Sequence, residues 1–107
     1  MTSHKANARN SYLLRTYGIT LAEFEAILEA QQHCCCICGR SLVDRRIEVD
    51  HDHRLARQIG KRGSVRGLLC GGRYQGCNRK LGKIDDAKWL RSAANYLEAP
   101  PARSVLT

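Results

Sequence analysis

The cysteines stand in two groups, and their spacing is the first chemistry the chain offers. Cys34, Cys35, Cys36 and Cys38 crowd together, and Cys70 and Cys77 follow well downstream. Tetrahedral zinc takes four soft ligands, and a C-x-x-C knuckle supplies two of them from one tight turn. Only Cys35 and Cys38 have that spacing, with Gly39 directly behind them to suit the turn. Six residues separate Cys70 from Cys77, more than in a standard knuckle, but Gly71, Gly72 and Gly76 let the chain loop out and return. The four predict a structural zinc site, with Cys34 as a partly buried filler and Cys36 as an exposed thiol. Ordinary reduced core cysteines would explain neither the clustering nor the flanking glycines.

Between the two cysteine pairs lies Val49-Asp50-His51-Asp52-His53. Two carboxylates and two imidazoles at the end of a strand make a constellation for a hard cation and a general base. If the strand stays extended, Asp50 and Asp52 face one side and His51 and His53 the other. A carboxylate on a cation with an imidazole beside it is what metal-assisted phosphodiester hydrolysis needs. The plainer alternatives are a solvated polar hairpin loop, or zinc ligands competing with the cysteines.

The chain has 107 residues, one domain's worth, with 18 Lys and Arg against 10 Asp and Glu and a formal charge of +8. Such a surplus on so small a body points to a polyanionic partner, nucleic acid before membrane. Only 6% of residues are aromatic, so a large core is not expected, and a metal staple matters at this size. No stretch approaches the roughly 20 apolar residues of a membrane span. The opening MTSHKANARN is polar and basic with no apolar region behind it, which speaks against a signal peptide and for a cytoplasmic protein. Disulfides are accordingly a poorer reading of the cysteines than metal ligation.

Several elements must position these groups. Residues Ser3 to Tyr17 suit a helix ended by Gly18, with Tyr12, Leu13 and Tyr17 as apolar positions. Thr20 and Glu23 match a capping box, behind which Leu21, Phe24, Ile27 and Leu28 repeat at helical spacing. Ile47 and Val49 alternate with Arg46, Glu48 and Asp50 as a short half-buried strand. A basic loop from Arg54 to Gly63 leads to a return strand over residues 64–69, giving a hairpin with a long tip. Asn78 to Leu81 suit a turn or two of helix before Gly82. Asp85 and Asp86 can cap a last helix with Trp89, Leu90, Ala93, Ala94 and Leu97 on its apolar face, Trp89 being read as core. Pro100 and Pro101 stop it, and residues 98–107 read as a frayed tail to a single domain whose core spans about residues 17–97.

Taken together, Cys35-x-x-Cys38, Val49-Asp50-His51-Asp52-His53, Val65-Arg66-Gly67-Leu68-Leu69-Cys70 and Cys77-Asn78 resemble the recombination endonuclease VII family of phages, within the HNH or ββα-metal nucleases. Tyr17-Gly18-Ile19-Thr20 looks like that family's lead-in, and the resemblance runs from about Tyr17 to Leu97. One departure is the long knuckle, where the family commonly has C-x-x-C before the Asn. The resemblance implies a small zinc-stapled α+β domain, a ββα-metal (His-Me finger) core with flanking helices. It further implies that Asp50 and Asn78 bind the catalytic cation, Mg²⁺ or Mn²⁺. His51 would be the general base and His53 would contact the scissile phosphate or leaving group. Cys35, Cys38, Cys70 and Cys77 would hold zinc.

Basic residues flank both halves of this constellation: Arg54, Arg57, Lys61, Arg62 and Arg66 around the hairpin, and Arg73, Arg79, Lys80 and Lys83 around the short helix. Aromatics are too few for a base-stacking platform, so duplex or branched DNA held by its phosphates is the expected substrate. A second copy of the chain is a further partner that the resemblance admits. Two other classes compete with a DNA endonuclease: a four-cysteine zinc module that binds nucleic acid without cutting it, and a zinc-knuckle protein-interaction domain. Neither accounts for Asp50, His51 and Asn78 together on a strongly basic chain.

Overall fold

The computed structural model describes residues 4–72 and 76–106. Along the chain run helices α1 (His4–Tyr17) and α2 (Leu21–Ala30), strand β1 (Ile47–His51), helices α3 (His53–Ile59) and α4 (Lys61–Ser64), strand β2 (Val65–Cys70), and helices α5 (Cys77–Lys83), α6 (Ala87–Glu98) and α7 (Ala102–Val105). The result is a small α+β domain in which helices pack around one antiparallel hairpin.

Gly18 ends α1 with φ +74°, and a Cβ there would stand 3.1 Å from the Arg62 nitrogen, so the turn needs glycine twice over. The capping box of α2 forms as its sequence predicts. Glu23 N–H donates to Thr20 Oγ1 at 3.1 Å, and Thr20 N–H donates to Glu23 Oε1 at 2.9 Å. The Arg62 guanidinium also donates to both Glu23 oxygens, tying α2 to α4.

These bonds, the Arg62 guanidinium first and the Thr20 backbone next, pull the Glu23 carboxyl from its usual 4.5 down to about 2. A carboxyl depressed in the folded state stabilises fully above its unfolded pKa, and that stability is lost as pH falls through the folded value. The melting temperature of the wild type is therefore expected to exceed that of Glu23→Gln near pH 6, and the gap to close between about pH 4.5 and pH 2. Melting curves of both proteins near pH 6, where the zinc thiolates stay ligated, check it; equal melting temperatures there would rule it out.

Ile47 faces Cys70 and successive pairs follow down to Asp50 opposite Gly67, after which the register shifts and His51 faces Val65. The shift leaves Arg66 without a cross-strand partner, as a β-bulge does. The free edge of β2 is covered by one side chain. Gln31 accepts from Leu68 N–H at 2.8 Å and donates to the Leu68 carbonyl at 2.8 Å, satisfying a fully buried residue as a third strand would. Leu13, Ile19 and Phe24 from the helical lead-in meet Leu42, Val49, Leu68 and Leu69 to form the core, with Cys35, Cys70 and Cys77 at its end.

Several local expectations change. The segment from Arg54 to Gly63 forms two short helices, α3 and α4, broken at Gly60; α3 starts because Asp52 Oδ1 accepts from Arg54 and Leu55 N–H at 2.9 and 3.1 Å and the residues behind that cap are good helix formers. Helix α5 continues through Gly82 to Lys83. Asp86 alone caps α6, through Lys88 and Trp89 N–H, while Asp85 is taken by Arg66. Trp89 is not core: it is 51% exposed, and no residue of α6 is buried, so the apolar face read from the sequence lies open. After Pro100 and Pro101 a single exposed helical turn, α7, follows. No helix among the described residues is long and apolar enough to cross a membrane.

Candidate active site and metal centre

The two cysteine pairs come together. One ligand sulfur from each of Cys35, Cys38, Cys70 and Cys77 lies within 4.8 Å of the others, and Cys38 Sγ stands 3.8 Å from Cys70 Sγ. Zinc–sulfur bonds of about 2.3 Å at tetrahedral angles require sulfurs roughly 3.8 Å apart, so the donor set and its size fit zinc. The first knuckle is built by local hydrogen bonds: Cys35 N–H to Arg40 O at 2.9 Å, Gly39 N–H to Cys35 O at 3.0 Å, and Gly39 at φ +75°. Cys70 N–H points at Cys35 Sγ at 3.5 Å, and Cys77 N–H at Cys70 Sγ at 3.4 Å. Burial raises the Cys35 thiol, but backbone N–H groups of Cys38, Cys70 and Ile37 outweigh it and bring the pKa down to about 6. Cys77 goes the other way, to about 12, through burial and the sulfurs around it. Cys35 is thus the thiol readiest to give up its proton, and binding a divalent cation would take the others to thiolates as well. Cys34 is half-buried and Cys36 exposed, as expected.

On the other side of the hairpin a cavity of about 620 Å³ gathers Asp50, His51, Asp52, His53 and Asn78. The alternation expected of an extended strand breaks after Asp50, at the bulge and the start of α3. Asp52 turns away to cap α3, while His51 and His53 stay together as that alternation expects, with ring centroids 4.3 Å apart. Tyr17 meets His51 edge-on, with centroids 5.9 Å apart and planes at 62°. Burial first, then the neighbouring His53, lowers the His51 pKa against the raising effect of Asp50. Asn78 sits in the first turn of α5, directly after Cys77, so the cysteine cluster fixes where it stands.

The basic residues divide. Arg54, Arg57 and Arg66 line the cavity. Lys61 instead donates to Arg15 O at 2.7 Å and Arg62 is paired with Glu23. Arg79, Lys80 and Lys83 lie on α5 outside the cavity's lining, and Arg73 lies outside the described residues. Arg66 is itself engaged by Asp50 and Asp85.

Glu48 is a residue that reading for motifs passed over. Asn78 Nδ2 donates to Glu48 Oε2 at 2.8 Å. A carboxylate accepts, so the Asn78 amide gives its NH₂ to Glu48 and its carbonyl oxygen takes no part in that bond. The signal was present: Glu48 stands two residues before Asp50 on the polar side of the strand pattern. Asp85 and Tyr17 also line the cavity, and no sequence pattern singles them out.

The model of the family described as recombination endonuclease VII matches residues 10–99. The gene 59 protein of Mycobacterium phage D29 is 44% identical over 97 residues, covering 88% of this chain and 52% of that protein. The gene 59 protein of Mycobacterium phage L5 is 38% identical over 108 residues, covering 98% and 59%. The chain thus spans a little over half the length of these curated relatives. No solved structure matches it.

Proposed function

The chain belongs to the recombination endonuclease VII family, and from that membership we propose that it is a metal-dependent DNA endonuclease of the HNH type, hydrolysing phosphodiester bonds in duplex or branched DNA. The observation that carries this reading is the convergence of Asp50, His51, His53 and Asn78 on one cavity edged by Arg54 and Arg57.

In this reading Asp50 and the Asn78 carbonyl hold Mg²⁺ or Mn²⁺. Both are hard oxygen donors, and a site with only two protein ligands suits an ion that gives up its hydration reluctantly. The cation, when bound, supplies positive charge against the phosphate and the departing oxygen. His51 accepts the proton of the attacking water at a ring nitrogen. Its lowered pKa keeps the ring neutral at pH 7, ready for that task. The Tyr17 ring packed edge-on against it restricts its orientation. His53 contacts the scissile phosphate or the leaving oxygen. Arg54 and Arg57 neutralise phosphates beside the cavity, and Lys61, Arg79, Lys80 and Lys83 extend the electrostatic path over the surface. Cys35, Cys38, Cys70 and Cys77 hold the structural zinc and, through Cys77, the position of Asn78. The protein acts on DNA in the cytoplasm of the phage-infected cell.

Zinc-loaded protein is to be incubated with Mg²⁺ or Mn²⁺ and supercoiled plasmid, and separately with a synthetic four-way junction. Cleavage of at least one substrate, dependent on the added cation, is the expected result, and the preferred substrate defines the DNA class. Binding to both without cleavage of either, under both cations, would replace this reading with a zinc module that only binds nucleic acid. Failure even to bind would favour a protein-interaction domain.

A further inference from the structure

We propose that Arg66 is a built-in counter-cation of the active site: it holds the Asp50 carboxylate in competition with the divalent cation, and once displaced it stays tethered by Asp85 at the cavity to meet a phosphate. The inference rests on the reading of Asp50 as a cation ligand.

The bulge is what delivers the side chain. Asp50 pairs with Gly67 and His51 with Val65, so Arg66 is the extra residue of β2. Bulges re-aim side chains beside sites, and this one turns Arg66 onto its neighbour's carboxylate. Arg66 Nε donates to Asp50 Oδ2 at 2.8 Å and Nη2 to Asp50 Oδ1 at 3.0 Å. Each Asp50 oxygen thus already accepts one bond from a planar, bidentate cation, the stronger kind of charge-assisted pair, whose charge and bulk a divalent cation would have to displace or share. The Asp50 side chain is 11% exposed and its end of the pair is sheltered, while the Arg66 side chain, 35% exposed, keeps a face open to water through which it can move.

A guanidinium this close cannot leave by losing its proton, since the hydrogen bonds to Asp50 raise its pKa further still. It must move, and the second half of its contacts shows where it can stay. Nη1 donates to Asp85 at 2.9 and 3.2 Å, and Asp85 lies in the connection between α5 and α6. Release from Asp50 therefore leaves the charge beside the same cavity, with donors freed for a phosphate oxygen. A purely structural Arg66 makes the opposite demand: it would orient Asp50 for the cation, and its removal would weaken cation binding.

Binding of Mn²⁺ to the DNA-free, zinc-loaded full chain, read from the electron paramagnetic resonance signal of unbound Mn²⁺, separates the two. Arg66→Gln is expected to bind Mn²⁺ about tenfold more tightly than wild type, as loss of a charge-assisted competitor implies. Asp85→Asn, which leaves the guanidinium to Asp50 alone, is expected to bind it several-fold more weakly. In a His51→Ala background, where DNA is not cut, Arg66→Gln should weaken DNA binding in the presence of Mn²⁺ and leave it near wild type without. Unchanged or weaker Mn²⁺ binding by Arg66→Gln at normal zinc content overturns the inference. Should that variant not fold, unchanged or tighter binding by Asp85→Asn overturns it instead. Asp50→Asn distinguishes the layers: if it weakens Mn²⁺ binding, the reading of the site stands whatever Arg66 does, and if it does not, both fall.

Discussion

Replacing His51 by alanine is expected to lower the cleavage rate by roughly two to four orders of magnitude, the range for losing general-base help, with zinc content and DNA affinity near wild type. His51 lines the cavity but contributes no sulfur to the cysteine cluster and no buried apolar surface to the core. Its loss therefore removes a proton acceptor and little else. The wild-type rate should rise with pH as the ring deprotonates, and because burial and His53 lower that pKa, the midpoint of the rise should lie below the ordinary imidazole value near 6.5. The alanine variant should lose this limb. Asp50→Ala should behave differently, since extra Mg²⁺ can partly compensate for a weakened ligand set but cannot supply a base. Rates measured against pH and against Mg²⁺ for the three proteins check both statements. A His51→Ala protein that cuts at the wild-type rate would sink the assignment.

Removing zinc is expected to have the larger effect on the fold. Structural zinc in small domains is worth on the order of 10–16 kcal/mol of folding free energy, whereas a whole domain has about 5–15 to spare. Strong chelation, or Cys38→Ser, should abolish the dispersed NMR spectrum and near-ultraviolet dichroism. Cys38 is the informative position because it is the exposed member of the four. Exchanging sulfur for oxygen there creates no core cavity, so any collapse reports lost metal affinity and not lost packing. Elemental analysis of the folded wild type should give one zinc per chain; a folded, monodisperse protein without zinc would exclude the claim. Activity should vanish together with the fold, since Asn78 is held next to Cys77.

Features set by neighbours along the chain are legible in the order of residues alone. Thr20 and Glu23 form their capping box from four consecutive residues, and Cys35 and Cys38 form their knuckle from one turn. The pairing of the two cysteine groups was legible as well, because four soft ligands leave one economical arrangement. The family followed from the combination of these motifs. Tertiary structure decided what depends on partners distant in sequence. The bulge opposite His51, which no periodicity announces, sends Arg66 to Asp50 and Asp85. Glu48 meets Asn78 only because the hairpin and α5 close on the cysteine cluster. Arg62, legible only as positive charge, is spent on Glu23 because Gly18 brings α1 and α4 into contact. The face of Trp89 shows the limit most plainly. Periodicity established that α6 is amphipathic, but burial requires a second surface, and among the described residues the fold leaves that face open.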